Sequence, residues 1–339
     1  MTERNTARAR TSGSLGSYHG VPEFVCGITR EIWEDRGIGR KSDKYYAKDI
    51  LLRAPTGLTV GNSGVTAQTL QTLRQFPDRT LVGEDVIRSA CPQASYLSSH
   101  RLISVMTHAE EGIFGAPSGR VVCSRIIADC WIQGQQILEE WLVPDQVAFA
   151  LCLGLEPRAL ALSIVEREVR NGESVSYFLP PQDRSGACVP SIADDEMVAL
   201  YITGLQRIWQ HKETAAVRDL YFRGAALHGP GGNTRHGHAD IDRFFLGYLA
   251  SFPDASFAVH SAIGNREPER PVRLAIRWSL TGRHTGFGHF GAPTGADVYA
   301  MGMTHASLTD SKVRTEWLLT DEVSIWKQIH AHAQRSAGA

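Results

Sequence analysis

One recurrence limits the fold of this chain more than any other feature: short runs of residues return, in the same order, 176 positions later. Ile32-Trp33 returns as Ile208-Trp209, and Asp43 and Tyr45 return as Asp219 and Tyr221. Phe76-Pro77-Asp78 returns as Phe252-Pro253-Asp254, and Gly115-Ala116-Pro117-Ser118-Gly119 as Gly291-Ala292-Pro293-Thr294-Gly295. Trp141-Leu142 and Asp145 return as Trp317-Leu318 and Asp321. Only Arg53-Ala54-Pro55-Thr56-Gly57, set against His228-Gly229-Pro230-Gly231-Gly232, prefers a spacing of 175. So many matches in one register indicate an internal duplication, and each copy must fold as the same unit.

The repeat sets the layout, and 339 residues suit two domains. Residues 1–20 read as a disordered leader, with Arg4, Arg8 and Arg10 among small polar residues and no apolar run behind them. Copy one is expected over 21–168, a Pro- and Ser-rich linker over 169–194, and copy two over 195–335. A hydrophobic fraction of 42% can fill two cores, and a net charge of −1 argues against nucleic acid as a partner. No apolar run is long enough to span a bilayer, so no membrane partner is expected. Cys26, Cys91, Cys123, Cys130, Cys152 and Cys188 all precede copy two. A disulfide framework would recur in both copies, so free thiols and a cytoplasmic location are expected.

Within each copy, helical patterns come first. Leu200, Gly204 and Ile208 recur at helical spacing, as do Ile241, Phe244, Phe245, Tyr248, Leu249 and Phe252, with Asp240 as the expected N-cap. The counterpart of this second helix, Val65 to Phe76, is more polar. Alternation then takes over, as in Val272, Leu274, Ile276 and Trp278, and two further strands and a short helix close each copy. The expected class is α+β: two curved antiparallel sheets, each wrapped as a cone around its N-terminal helices, in tandem.

This order of motifs resembles the SnoaL-like polyketide cyclase (ester cyclase) family of the nuclear-transport-factor-2-like superfamily. Copy two carries the fuller match, through Tyr221, His228 to Gly232, Phe252 to Asp254, Gly282-Arg283-His284-Thr285-Gly286, Gly291 to Gly295 and Glu316-Trp317. Copy one matches at Tyr45, Pro55, Gly57, Phe76 to Asp78, His108, Gly115 to Gly119 and Glu140-Trp141. The resemblance implies an apolar pocket in each cone and cofactor-independent acid/base chemistry on a small carbonyl, lactone or polyketide-like substrate. It also implies pairing of the cones through their sheets, which in a tandem chain makes an intrachain pseudo-dimer, with a homodimer as a further possibility.

The same resemblance implies a catalytic aspartate just after the last-strand tryptophan, where this chain has Leu142 and Leu318, and a polar partner at Asp129 in copy one and Thr304 in copy two. Leucine moves no proton, so the catalytic set expected here is different. His228 is expected at the pocket mouth of copy two, with Arg53 at the same place in copy one. Glu316 lies two residues before Leu318, on the same strand face, and is a candidate displaced base, as Glu140 would be in copy one. His284 and Asp321 complete the expected catalytic group, and Tyr221, Trp278, Thr304, Leu318, Arg53 and Asp129 the substrate-binding group. His284, like His108, also fits a shared structural hydrogen bond. His236-Gly237-His238-Ala239-Asp240 imitates a metal-binding run, but it feeds a helix start, so no metal and no cofactor are expected. The alternative to an enzyme is a binding protein that has lost catalysis and keeps an apolar pocket.

Overall fold

A computed structural model describes Leu15, residues 17–188 and residues 191–337. Most of the expected leader, including Arg4, Arg8 and Arg10, lies outside the described residues.

Copy one opens with α1 (Val21–Trp33) and α2 (Arg40–Tyr45), then β1 (Tyr46–Ala54), β2 (Gly57–Val60) and α3 (Asn62–Gln75). Four long strands follow: β3 (Thr80–Cys91), β4 (Ser95–Thr107), β5 (Val121–Gln133) and β6 (Gln136–Pro144). The copy closes with α4 (Gln146–Leu153) and α5 (Pro157–Arg170). Copy two repeats the scheme with α6 (Glu196–Trp209), α7 (Val217–Leu220), β7 (Tyr221–His228), β8 (Thr234–His236) and α8 (Gly237–Ser251). Its remaining elements are β9 (Ser256–Asn265), β10 (Val272–Arg283), β11 (Asp297–Thr309), β12 (Lys312–Thr320) and α9 (Glu322–Ala337).

Each copy forms one six-stranded sheet, ordered β2-β1-β6-β5-β4-β3 and β8-β7-β12-β11-β10-β9. The sheets are mixed rather than purely antiparallel, because β1 runs parallel to β6 and β7 parallel to β12. The first strand of each copy is separated from the last by the whole unit, and such a long connection permits parallel pairing. Asp240 lies in the first turn of α8; the residue at its N-cap is His236.

Register corrects one detail of the repeat. Tyr46 pairs with Ile137 as Tyr221 pairs with Val313, so Tyr46, not Tyr45, is the counterpart of Tyr221. The spacing of 175 therefore already holds at the first strand. One residue matters here because a single step along a strand turns a side chain to the other face.

The faces divide sharply in role. Residues such as Leu318, Trp278 and Ala306 face the helices and join the core of copy two. Their strand neighbours face the other copy, and Ile127, Val143, Phe178, Met301, Met303 and Leu319 form one buried cluster between the sheets. A near-symmetric pair sits among them. The Arg101 guanidinium lies 3.6 Å from the ring centroid of Trp317, and that of Arg277 lies 3.4 Å from Trp141. These are repeat-equivalent residues exchanged between copies, a self-complementary contact within one chain. The segment expected as a linker packs closely too, with Ala262 N–H donating to Ser191 and Ala193 N–H donating to Ala262.

Candidate active site

The expected catalytic group of copy two does not converge. Glu316 is fully buried inside the cone, where Tyr201 donates to its Oε1 at 2.5 Å and Tyr221 donates to Oε2. His228 lies on the opposite face of the sheet, stacked on Trp317 with its Nδ1 2.8 Å from Thr234 Oγ1. Burial lowers its pKa, and Arg125 and Arg101 of copy one add to the effect. Asp321 caps α9 by accepting from Val323 N–H at 3.0 Å, beside Pro55 and Phe178 rather than Glu316. The Gly229 to Gly232 loop is no pocket mouth either: Gly231 and Gly232 N–H donate to Asp145 of copy one at 2.9 and 3.0 Å.

The other expected residues also find different duties. His284 Nδ1 lies 3.1 Å from Thr294 Oγ1, and His108 Nδ1 lies 3.2 Å from Ser118 Oγ, each bracing its GAP(S/T)G loop. Arg53 is buried in ion pairs with Glu139 at 2.7 Å and with Asp183. Asp129 faces Arg277 across the interface at 3.6 Å. It pairs in register with Trp141, whereas Thr304 pairs with Leu318, so the two were never equivalent: Asp129 corresponds to His305. Of the expected substrate-binding group, Tyr221, Trp278, Thr304 and Leu318 do share the interior of copy two, but as filling. Trp278 Nε1–H donates to Thr304 Oγ1 at 2.9 Å, and Trp209, Phe245, Tyr248 and Phe252 pack the remaining space.

Copy one is hollow where copy two is full. A cavity of about 290 Å³ occupies its cone, lined among others by Val25, Leu102, Cys130, Glu140 and Leu142. Its origin is a set of smaller residues at repeat-equivalent positions. Val25, Thr69, Thr72, Leu81 and Leu102 stand where copy two has Tyr201, Phe245, Tyr248, Phe257 and Trp278. Register verifies the last of these: Leu102 pairs with Ile126, and Trp278 with Gly302. A Cβ at Gly302 would lie 2.2 Å from the Trp278 ring, so the indole fits only over glycine. The mouths differ too. Tyr248 donates to Glu322 at 2.5 Å and His289 Nε2 lies 2.9 Å from the same carboxylate, closing copy two. Thr72, Gln146 and Ile113 occupy those places in copy one and leave the cavity open.

Two titratable groups in the cavity have unpartnered atoms. Glu140 corresponds to Glu316, but only the Tyr46 hydroxyl meets it, because Val25 supplies no second one. Its Oε2 is buried without a hydrogen-bond partner, and burial lifts its pKa to about 7 despite the Tyr46 bond. His100 is buried with Nδ1 unpartnered, and burial lowers its pKa to about 4, so the ring is neutral. His100, Ala128 and Leu142 form one row across β4, β5 and β6. Glu140 is two residues from Leu142 on the same face, about 7 Å along the strand. A carboxyl poised near neutrality and a neutral imidazole lining one apolar cavity from β6 and β4 are suited to moving protons.

Residues 199–329 match the model of the SnoaL-like polyketide cyclase family. The second repeat belongs to that family. The duplication extends the SnoaL-like fold to the first repeat, whose sheet has the same strand order. Solved structures similar to the chain include a protein of Jannaschia sp. CCS1 named as a SnoaL-like polyketide cyclase. It is 19% identical with a TM-score of 0.33, over 44% of this chain and 98% of that one. A protein of Acidithiobacillus ferrooxidans named as a polyketide cyclase is 17% identical, with a TM-score of 0.36 over 40% and 95% of the two chains. IdmH of Streptomyces antibioticus, also named as a polyketide cyclase, is 19% identical, with a TM-score of 0.34 over 40% and 99%. No curated protein matches the chain.

Glu140 was legible as the partner of Glu316 in the repeat. His100, Arg79 and Tyr46 were not, although the polar character of Val65 to Phe76 was the visible trace of a helix facing a cavity. SnoaL-like membership by itself favours the motif-rich second copy; the packing points to the first.

Proposed function

We propose that the chain is a cofactor-independent acid/base enzyme of the SnoaL-like cyclase type whose working site is the cavity of copy one, while copy two serves as its support. One observation carries this reading: Glu140 presents a buried, unpartnered carboxyl oxygen to the cavity, with its pKa raised to about 7. In the proposed cycle the Glu140 carboxylate takes an activated carbon-bound proton from a small carbonyl substrate. The enolate oxygen accepts a hydrogen bond from neutral His100 while the enolate carbon bonds to a second carbonyl carbon, and the Glu140 carboxyl returns the proton to the resulting alkoxide. No net proton or electron is consumed. The alternative, a binding protein that has lost catalysis and keeps an apolar pocket, would use the same copy-one cavity, since copy two is filled and its Glu316 has both oxygens occupied by tyrosine hydroxyls.

The base can be tested without the natural substrate. In 5-nitrobenzisoxazole a carboxylate removes the C3 proton, the N–O bond breaks, and a coloured cyanonitrophenolate forms. The full chain is expected to accelerate this opening with a rate that rises through about pH 7. Glu140→Gln is expected to lose at least about 100-fold, the range for removing a general base. A Glu140→Gln rate equal to that of the unaltered chain would overturn the assignment.

A further inference from the structure

Arg79 enters the same cavity directly after α3. Its Nε–H donates to Ser104 Oγ at 2.9 Å, and its guanidinium lies 4.3 Å from the Trp33 ring centroid. The interior arginines of the interface each have a carboxylate: Arg53 meets Glu139 at 2.7 Å, Arg101 meets Glu84 at 2.9 Å, and Arg277 meets Asp129 at 3.6 Å. Among the described residues, Arg79 has no such ion pair. Burial draws its pKa down to about 10, with no carboxylate to restore it. In copy two the equivalent residue is the buried Ala255, so the fold does not require a cation there. The Arg79 side chain is part-buried, and a guanidinium partly withdrawn from water without an anion carries a cost unless something else supplies the charge. Trp33 compensates it only in part, through its ring face.

The position of Arg79 relative to Glu140 narrows what that anion can be. Arg79 meets β4 at Ser104, while Glu140 belongs to the row containing Ser98 and Cys130. Six residues of strand, about 20 Å, separate the two rows. Leu102, Ile126, Ala128 and Leu142 line the stretch between. A cation at one end, an acid/base carboxyl at the other and an apolar wall between them describe a site for an elongated molecule with one charged end.

We propose that the copy-one cavity binds an apolar carboxylic acid, its carboxylate held by Arg79 and its chain extending toward Glu140. Guanidinium and carboxylate match as planar, two-bond partners. The inference takes its site from the function proposed above, but its test reads binding and needs no turnover.

The experiment titrates the full chain with octanoate and with 1-octanol by calorimetry at pH 6, where octanoate is ionised. Octanoate is expected to bind at least about tenfold more tightly, as a charge-assisted pair would give. Arg79→Met is expected to remove that preference while keeping octanol affinity, and Arg79→Lys to restore part of it. Glu140→Gln should keep the preference intact, so failure of the base assignment and failure of the carboxylate assignment appear separately. Equal affinities in the unaltered chain, no octanoate binding, or an Arg79→Met ratio unchanged from the unaltered chain would overturn the proposal. Loss of both ligands in Arg79→Met and Arg79→Lys alike would also overturn it, because Arg79 would then serve only to hold the cavity wall.

Discussion

Glu140 and Glu316 occupy the same place in the two cones, opposite Cys130 and Ala306 in register, yet two tyrosine hydroxyls hold Glu316 and only one meets Glu140. The difference is Val25 in place of Tyr201. Replacing Val25 with Tyr is therefore expected to give Glu140 its second donor and to occupy part of the cavity. Satisfying a buried oxygen contributes about 1 kcal/mol, so the melting temperature should rise while 5-nitrobenzisoxazole opening falls toward background. Both are read on the same purified variant, and a faster reaction would count against the arrangement.

The cavity depends on small side chains, so its two counterparts should respond in opposite ways. Leu102→Trp combined with Ile126→Gly, which restores the glycine the indole needs, is expected to fill the hollow of copy one and abolish octanol binding with little loss of stability. Trp278→Leu should leave a void over Gly302 and strand Thr304, costing about 3 kcal/mol or more. Urea denaturation of both variants distinguishes a working hollow from loose packing.

Buried carboxyls with raised pKa values give the stability a definite pH dependence. Glu316 is ordinarily near 4.5 but about 7 in the fold, where burial outweighs the two tyrosine bonds. Below about pH 4.5 it is protonated in both states and costs nothing; as pH rises toward 7 the unfolded chain ionises first, and stability is lost. Glu316→Gln should therefore match the parent near pH 4 and exceed it above pH 7, by up to about 3 kcal/mol. Denaturation of the pair at both pH values measures this, and a constant difference between them would refute it.

Between the sheets, Asp129 and Arg277 are both buried, and Arg277 also covers Trp141. Arg277→Met would leave the Asp129 charge without its cation, with an expected loss of about 3–5 kcal/mol. Adding Asp129→Leu should recover much of that loss, because two apolar side chains replace a pair that is expensive to desolvate. A double-mutant cycle in urea gives the coupling directly.

Duplication, element order and the α+β class were written in the sequence, because repeated motifs and hydrophobic periodicity are local signals that survive divergence. The pairing of Glu140 with Glu316 could be read there as well, since counting two residues back from a leucine fixes a strand face. The site could not. His228, Glu316 and Asp321 stand close to recognisable motifs, but Glu316 faces the cone, His228 lies on the sheet face turned to the other copy, and Asp321 caps α9. A one-residue shift in register had equated Asp129 with Thr304 and Tyr45 with Tyr221. Tertiary structure alone decided which cone is hollow, because a cavity is the joint result of many distant side-chain volumes. Val25, Thr69, Thr72 and Leu102 leave space only because they meet across the sheet and helices of copy one, and Arg79 and His100 acquire meaning only by facing that space.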